Sequence, residues 1–275
     1  MEVLTKILSW VTGLFLVLLM IFLLSDIVII SLPELSLDYL LDVPLSAGRK
    51  GGIFPIIVST ILILLICLAF VIPIGLGSAL FLSEYTQSSN SSITLIKKSI
   101  DVLAAVPSIV FGLFGNAIFC VFFKMGFSIL SGGLTLALMA LPLFISTVEK
   151  GFSSTPSNYR LVGRSLGISK FTMIKSIIIP YALPSIFVGT VLSIGRALAE
   201  TAALIFTSGY VDRLPESIFD SGRALSIHIY DLSMNVPGGD INAYKSAFVL
   251  ISLIILSNTT INIILNKWYR KRIAL

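Results

Sequence analysis

The chain has 275 residues, of which 56% are hydrophobic and 12% charged, with a mean hydropathy of +1.01. A soluble domain carries ~25% charged residues, so this composition excludes most soluble globules and points to a polytopic helical membrane protein of about six spans. The net charge of +5 does not indicate nucleic acid, because the basic residues sit between apolar runs and not on a polar, aromatic-interleaved face.

Measured against a spanning length of ~20 residues, the first apolar run is Ile7 to Ser31. It is too long for a signal-peptide core and lacks a small-x-small cleavage site, so it reads as an uncleaved span. Asp26, near its outer end, reads as an interfacial or capped carboxylate. The second run is Ile53 to Leu82. The third, Ile100 to Phe123, and the fourth, Leu134 to Val148, flank the stretch Lys124 to Gly133, which predicts a tight connection. The fifth is Ile177 to Ser208 and the sixth Ala247 to Leu265. Prolines at 73, 107, 142, 180 and 184 are tolerable in lipid where neighbouring helices satisfy the freed carbonyls. Cys67 and Cys120 lie inside apolar runs, so no disulfide framework or CxxC metal site is implied. With the N-terminus inside, twelve of the nineteen Lys and Arg fall on the inner side and six on the outer, with Arg196 left within a span. The positive-inside rule then puts both termini in the cytoplasm.

Four places carry chemistry. In the stretch Ile194 to Phe206, Arg196 and Glu200 are four apart, so on a continuous helix they share one face. Such charges in a span mark either an anion pathway or a buried ion pair that fixes packing. In the inner loop Lys150 to Lys175, Tyr159, Val162 and Leu166 fall on one helical face, Arg160 and Arg164 on another, and Gly167 stops the pattern. This short amphipathic helix either docks on a partner or lies on the anionic inner leaflet. The stretch Leu103 to Gly115, with Pro107, Ser108, Gly112 and Gly115, permits a kink and close backbone approach, as at a gate or a packing interface. Just upstream, the i,i+4 spacing of Lys97 and Asp101 reads as interface anchoring. The outer loop Gly209 to Lys245 is long enough to be functional or mobile. It holds the sole histidine, His228, which without ligand-spaced neighbours reads as a surface residue rather than a metal ligand. There is no GxxxxGK[ST], HExxH or GxSxG, and no second histidine, so neither a nucleotide site nor a catalytic triad can be drawn.

The inner loop resembles the EAA loop of binding-protein-dependent ABC transporter permeases. Gly167 and the downstream Ile179-Pro180 and Leu183-Pro184 keep the spacing, while Leu161-Val162-Gly163 replaces the Glu-Ala-Ala triplet. Three stretches, Pro73 to Tyr85, Ala105 to Gly115 and Gly195 to Phe206, resemble the PstA-like permease subunits of bacterial phosphate importers. The resemblance covers residues 50 to 266. It implies an all-α, type I ABC importer permease fold, with an N-terminal transmembrane helix and extracytoplasmic loop over 1–52, a permease core over 53–266 and a basic cytoplasmic tail over 267–275.

By the same resemblance the chain is no enzyme. It translocates inorganic phosphate across the bacterial cytoplasmic membrane, binds no cofactor itself and relies on ATP used by partner subunits. Tyr159, Arg160, Val162, Arg164, Leu166 and Gly167 would form the ATPase coupling loop, Arg196, Glu200 and Thr201 the substrate pathway, and Pro107, Ser108, Gly112 and Gly115 a gate or helix-packing site. The implied partners are a homologous PstC-like permease subunit, two PstB-like ATP-binding subunits and an extracytoplasmic PstS-like phosphate-binding protein. Three other readings stay open from the residues themselves: a permease for molybdate or sulfate, an intramembrane enzyme, and a non-transporting assembly or sensor protein.

Overall fold

In lipid a helix is the only open segment that satisfies every backbone N–H and C=O internally, and the long apolar runs of this chain all fold that way. The computed structural model describes residues 2–86 and 91–273. The first helix, α1 (Glu2–Ser31), leads through a 3₁₀ turn to α2 (Leu37–Leu41), whose N-cap Ser36 accepts a hydrogen bond from the Tyr39 amide at 3.2 Å. A minimal antiparallel hairpin of β1 (Pro44–Leu45) and β2 (Lys50–Gly51) follows, with Pro44 opposite Gly51. Next come α3 (Phe54–Leu80), which widens into a π-helical turn at Phe81–Tyr85, then α4 (Ser91–Ala104), and α5 (Ser108–Gly115), extended by a π-helical stretch to Phe122. α6 (Ile129–Ser153) leads to the short α7 (Ser157–Ser165) and α8 (Lys170–Met173), and α8 continues through another π turn into α9 (Ile179–Ala199). The chain ends through α10 (Ala202–Ile205), α11 (Leu225–Met234) and α12 (Asp240–Ile273).

Among the described residues five helical segments are long and apolar enough to cross a membrane, and the pair α4–α5 makes a sixth if counted as one broken span. Three expected runs differ in detail. The third is bent by 98° between α4 and α5. Pro107 has no amide to donate and disfavours helix at the residue before it, and it stands at the N-cap of α5. The fourth extends beyond Leu134 to Val148 at both ends, to Ser153 at its end and at its start to Ile129, where Ser128 caps α6, accepting from the Ser131 amide at 3.1 Å. Gly132 and Gly133 therefore lie in a helix and not in the expected connection. The fifth is interrupted at Glu200. The basic tail from Lys267 continues α12 to Ile273, and residues 274–275 lie outside the described ones.

The core lies where α3, α6 and α9 meet. Phe144 of α6 is fully buried between Gly75 of α3 and Gly189 of α9; a β-carbon on either glycine would press into its ring. Without a hydrophobic drive in lipid, such a large side chain seated against small ones supplies the dispersion contact that holds the three helices together. A second cluster of Tyr39, Ile53, Ile56, Leu225 and Val249 joins the hairpin end of the bundle to α11 and α12. There the buried Tyr39 hydroxyl donates to the Asn242 carbonyl at 2.9 Å and meets Ser246 Oγ at 2.8 Å. α1 lies along α12, where Tyr244 donates to Asp26 at 3.3 Å, so Asp26 is a hydrogen-bonded carboxylate. α7 sits at the other end of the bundle.

Candidate functional site

The helical run that carries Arg196 breaks three residues after it. Glu200 takes an extended conformation (φ −78°, ψ 127°), and three contacts hold the break. Its carboxylate accepts from the Ala203 amide at 3.1 Å, capping the short α10. Its carbonyl accepts from Ser226 Oγ of α11 at 2.5 Å, and its own amide reaches back to the Ala197 carbonyl at 3.4 Å. The expected shared face of Arg196 and Glu200 is therefore absent, because the carboxylate turns to the α10 backbone. Arg196 occupies the last turn of α9, half-buried, and among the described residues nothing pairs with its guanidinium. At ~1.5 Å per residue it stands roughly 30 Å along the helix from Lys175, at the end of the span remote from α7. Thr201, half-buried, is the hinge residue between the two helices.

α5 packs against α10 beside this break. A β-carbon on Gly112 would lie 2.7 Å from Ala203 Cα and 3.2 Å from its carbonyl oxygen, so only glycine permits the approach. Asn116 Nδ2 donates to the Phe206 carbonyl at 2.7 Å, and the Cys120 thiol faces the Thr207 carbonyl at 3.7 Å. Gly115 is similarly closed off by Thr135. Of the four residues expected at a gate or packing site, Gly112 and Gly115 are thus packed, Pro107 starts α5, and Ser108 is its half-buried first residue.

At the opposite end, α7 exposes Tyr159 (50%), Val162 (54%) and Leu166 (70%), and Leu161 beside them is equally open. Gly167 ends the helix at φ +68°, a left-handed position that favours glycine, with its amide on the Arg164 carbonyl and the Ile168 amide on the Gly163 carbonyl, both 3.0 Å. Arg164 is exposed, whereas Arg160 turns inward. Its Nη2 meets Glu84 Oε1 at 2.6 Å and its Nε the same oxygen at 3.1 Å, while Nη1 and Nη2 donate to the Thr155 and Phe152 carbonyls at 2.6 and 2.9 Å. Lys170 donates to the Glu84 carbonyl at 2.6 Å and lies 3.8 Å from the centre of the Tyr85 ring. Sequence reasoning gave Glu84 no role, since its partner is 76 residues away and no local spacing announces the pair. Lys97 likewise reaches across to Glu149 of α6 at 2.7 Å, and Asp101 accepts from Ser146 at 3.2 Å.

The outer loop is structured by Arg223, which is 8% exposed. Its Nε donates to the Tyr210 carbonyl at 2.9 Å and its Nη1 stands 3.3 Å from Asp231 and 4.0 Å from Asp212. Nη1 also approaches His228 Nδ1 at 3.4 Å. His228 is fully buried, correcting the surface reading, since α11 turns it against Gly48 of the hairpin loop. Burial, and then the adjacent Arg223 charge, lower its pKa from 6.5 to about 3, with Asp231 opposing. Among the described residues no three His, Cys, Asp or Glu gather as a metal site.

A bundle with a broken third crossing and an exposed amphipathic helix at one end is the type I permease fold of ABC importers. Two solved structures share it. A chain of the MetNI methionine ABC transporter, in inward facing conformations, matches with TM-score 0.57 at 13% identity over 79% of this chain and 96% of that one. A chain of an amino acid ABC transporter crystallised with histidines matches with TM-score 0.51 at 18% identity over 79% and 92%. Residues 71–275 match the family described as the binding-protein-dependent transport system inner membrane component, and the chain belongs to that family. Among its relatives, the probable ABC transporter permease protein YqgI of Bacillus subtilis is 29% identical over 85% of this chain and 84% of its own length. The phosphate transport system permease protein PstA of Mycobacterium leprae is 32% identical over 74% and 67%. The PstA homolog of Mycoplasma pneumoniae is also 32% identical over 74% of this chain, a stretch that spans 33% of that protein.

Proposed function

We propose that this chain is a transmembrane permease subunit of an ATP-driven importer of inorganic phosphate, with both termini in the cytoplasm. α7 docks on an ATP-hydrolysing partner, a second permease completes the pathway, and an extracytoplasmic binding protein delivers the anion at the hairpin end. The observation that carries the anion reading is the unpaired, half-buried guanidinium of Arg196. A cation in a membrane-spanning helix is costly unless it meets protein, water or an anion. Glu200, committed to the α10 amide, does not neutralise it. An arginine presents a planar fork of donors that suits a tetrahedral oxyanion, and at the mouth of a span it attracts the ion without enclosing it. The choice of phosphate rests on the PstA relatives and the Pro73 to Tyr85, Ala105 to Gly115 and Gly195 to Phe206 stretches.

The docking reading of α7 is supported by its exposed Tyr159, Leu161, Val162 and Leu166 at the end of the bundle where Lys and Arg concentrate. Labelled phosphate uptake in cells with and without the chain, alongside Arg196→Ala, tests the whole. Loss of ATP-dependent uptake with assembly intact is expected. Full uptake by Arg196→Ala removes the anion site, and uptake displaced by molybdate or sulfate in preference to phosphate reassigns the substrate.

A further inference from the structure

The contacts around Glu84 go beyond what fixing one helix end requires. α7 is covalently tethered to α6 at its start and to α8 at its end, and a residue at each end is tied to Glu84 of the π turn that ends α3. Arg160, in the first turns of α7, places Nε and Nη2 on the Glu84 carboxylate, whose side chain is 4% exposed. Lys170, the first residue of α8, places its ammonium on the Glu84 carbonyl and over the Tyr85 ring. The remaining Arg160 donors hold Phe152 and Thr155 at the α6–α7 junction, so its guanidinium ties three elements at once. A rigid planar fork with every bond charge-assisted or directed at a carbonyl transmits displacement with little slack. A π turn supplies the local widening that such positions use.

We propose that Glu84 and Tyr85 are positioning residues that clamp the docking helix to α3, so that movement of α7 is passed directly into α3 as well as through its covalent link to α6. α3 runs from this clamp to the hairpin end, where the Ile53 amide before its first residue binds the Tyr39 carbonyl at 2.9 Å. The clamp thus gives the two ends of the molecule a single rigid connection. This inference rests on the reading of α7 as a docking helix.

The test uses the full reconstituted complex in lipid and two readouts, phosphate moved per ATP hydrolysed and hydrogen exchange of the amides 157–170. Glu84→Gln is expected to keep ATP hydrolysis, to lower transport per ATP by about fivefold or more and to raise exchange in α7 by about tenfold. The double variant Glu84→Gln/Arg160→Gln should be no worse than Arg160→Gln alone, since that single variant already removes the contact through which Glu84 acts. Lys170→Gln, which leaves the buried carboxylate in place, should loosen amides 166–170 and reproduce part of the coupling loss. Unchanged exchange and transport per ATP in Glu84→Gln overturn the clamp, as do losses that multiply in the double variant. If the wild-type complex hydrolyses ATP without moving phosphate, the importer reading fails, and the exchange of amides 157–170 still decides the clamp.

Discussion

Replacing Gly112 by alanine should pry α5 from α10 without disturbing the rest of the bundle. The added β-carbon would start 2.7 Å from Ala203 Cα, so reaching ordinary van der Waals contact requires the two backbones to part by roughly 1 Å, and overpacking of this kind costs about 1–3 kcal/mol. At about 2 kcal/mol the separated arrangement becomes roughly 30-fold more populated. Cys120 reports on this gap because its thiol faces the Thr207 carbonyl across it, while Cys67 is buried in α3 within the α3–α6–α9 core. Maleimide labelling in mild detergent should therefore accelerate by an order of magnitude or more at Cys120 and stay constant at Cys67. The hydrogen bond from Asn116 to the Phe206 carbonyl should weaken in step. Equal labelling of Cys120 in both proteins would refute the close-approach argument, and equal acceleration at both thiols would show general loosening instead.

Two further outcomes follow from the geometry. His228, lowered from 6.5 to about 3 in the folded chain, stays neutral where the unfolded chain takes up a proton. Stability is then undiminished above pH 6.5 and declines as pH falls from 6.5 towards 3, by about 2 kcal/mol at pH 5. Thermal unfolding between pH 7.5 and pH 5 should show this slope and lose most of it in His228→Gln, which keeps an acceptor for Arg223; a slope that persists would move its origin to other groups. Glu200→Ala, by removing the acceptor at the Ala203 amide, should cost about 1 kcal/mol, as capping losses do, whereas Glu200→Gln should cost little. If Glu200→Gln proves the worse of the two, the charge acts on something other than the α10 backbone.

The parts of this molecule that follow from local pattern were legible in the sequence. Apolar run length located the five long apolar helices and the bent α4–α5 pair, and the spacing of Tyr159, Val162 and Leu166 with a stop at Gly167 located α7. What escaped depends on partners far away in the chain. Arg196 and Glu200 have the spacing of a helical pair, but Ser226 and the Ala203 amide compete for the Glu200 backbone and side chain and win, and neither is visible in a four-residue window. Arg160 was placed on one face with Arg164, and its inward turn could not be read because Glu84 lies 76 residues earlier. His228 lacked ligand-spaced neighbours, and that absence in the sequence did not bear on its exposure. Its environment is made by Gly48 and Arg223. Pro107 announced a kink between α4 and α5 without giving its angle of 98°.

The hairpin end also carries an order of events. Tyr39 is tied to Asn242 and Ser246, and the Gly48 carbonyl accepts from Asn242 Nδ2 at 2.9 Å, so a segment near the start of the chain is fastened by the last helix, about 200 residues later. During synthesis that early segment can meet α3 first, through the Ile53 amide on the Tyr39 carbonyl, then α11, where His228 packs on Gly48, and last the Asn242 and Ser246 of α12. Ser46 and Ala47, at φ 52° and 59°, occupy the two central positions of a turn closed by the Gly48 amide on the Leu45 carbonyl at 3.1 Å, as hairpin turns require. A chain that lacks α12 therefore keeps its first loop on α3 and α11 alone, without the Asn242 and Ser246 bonds that fasten it in the finished fold.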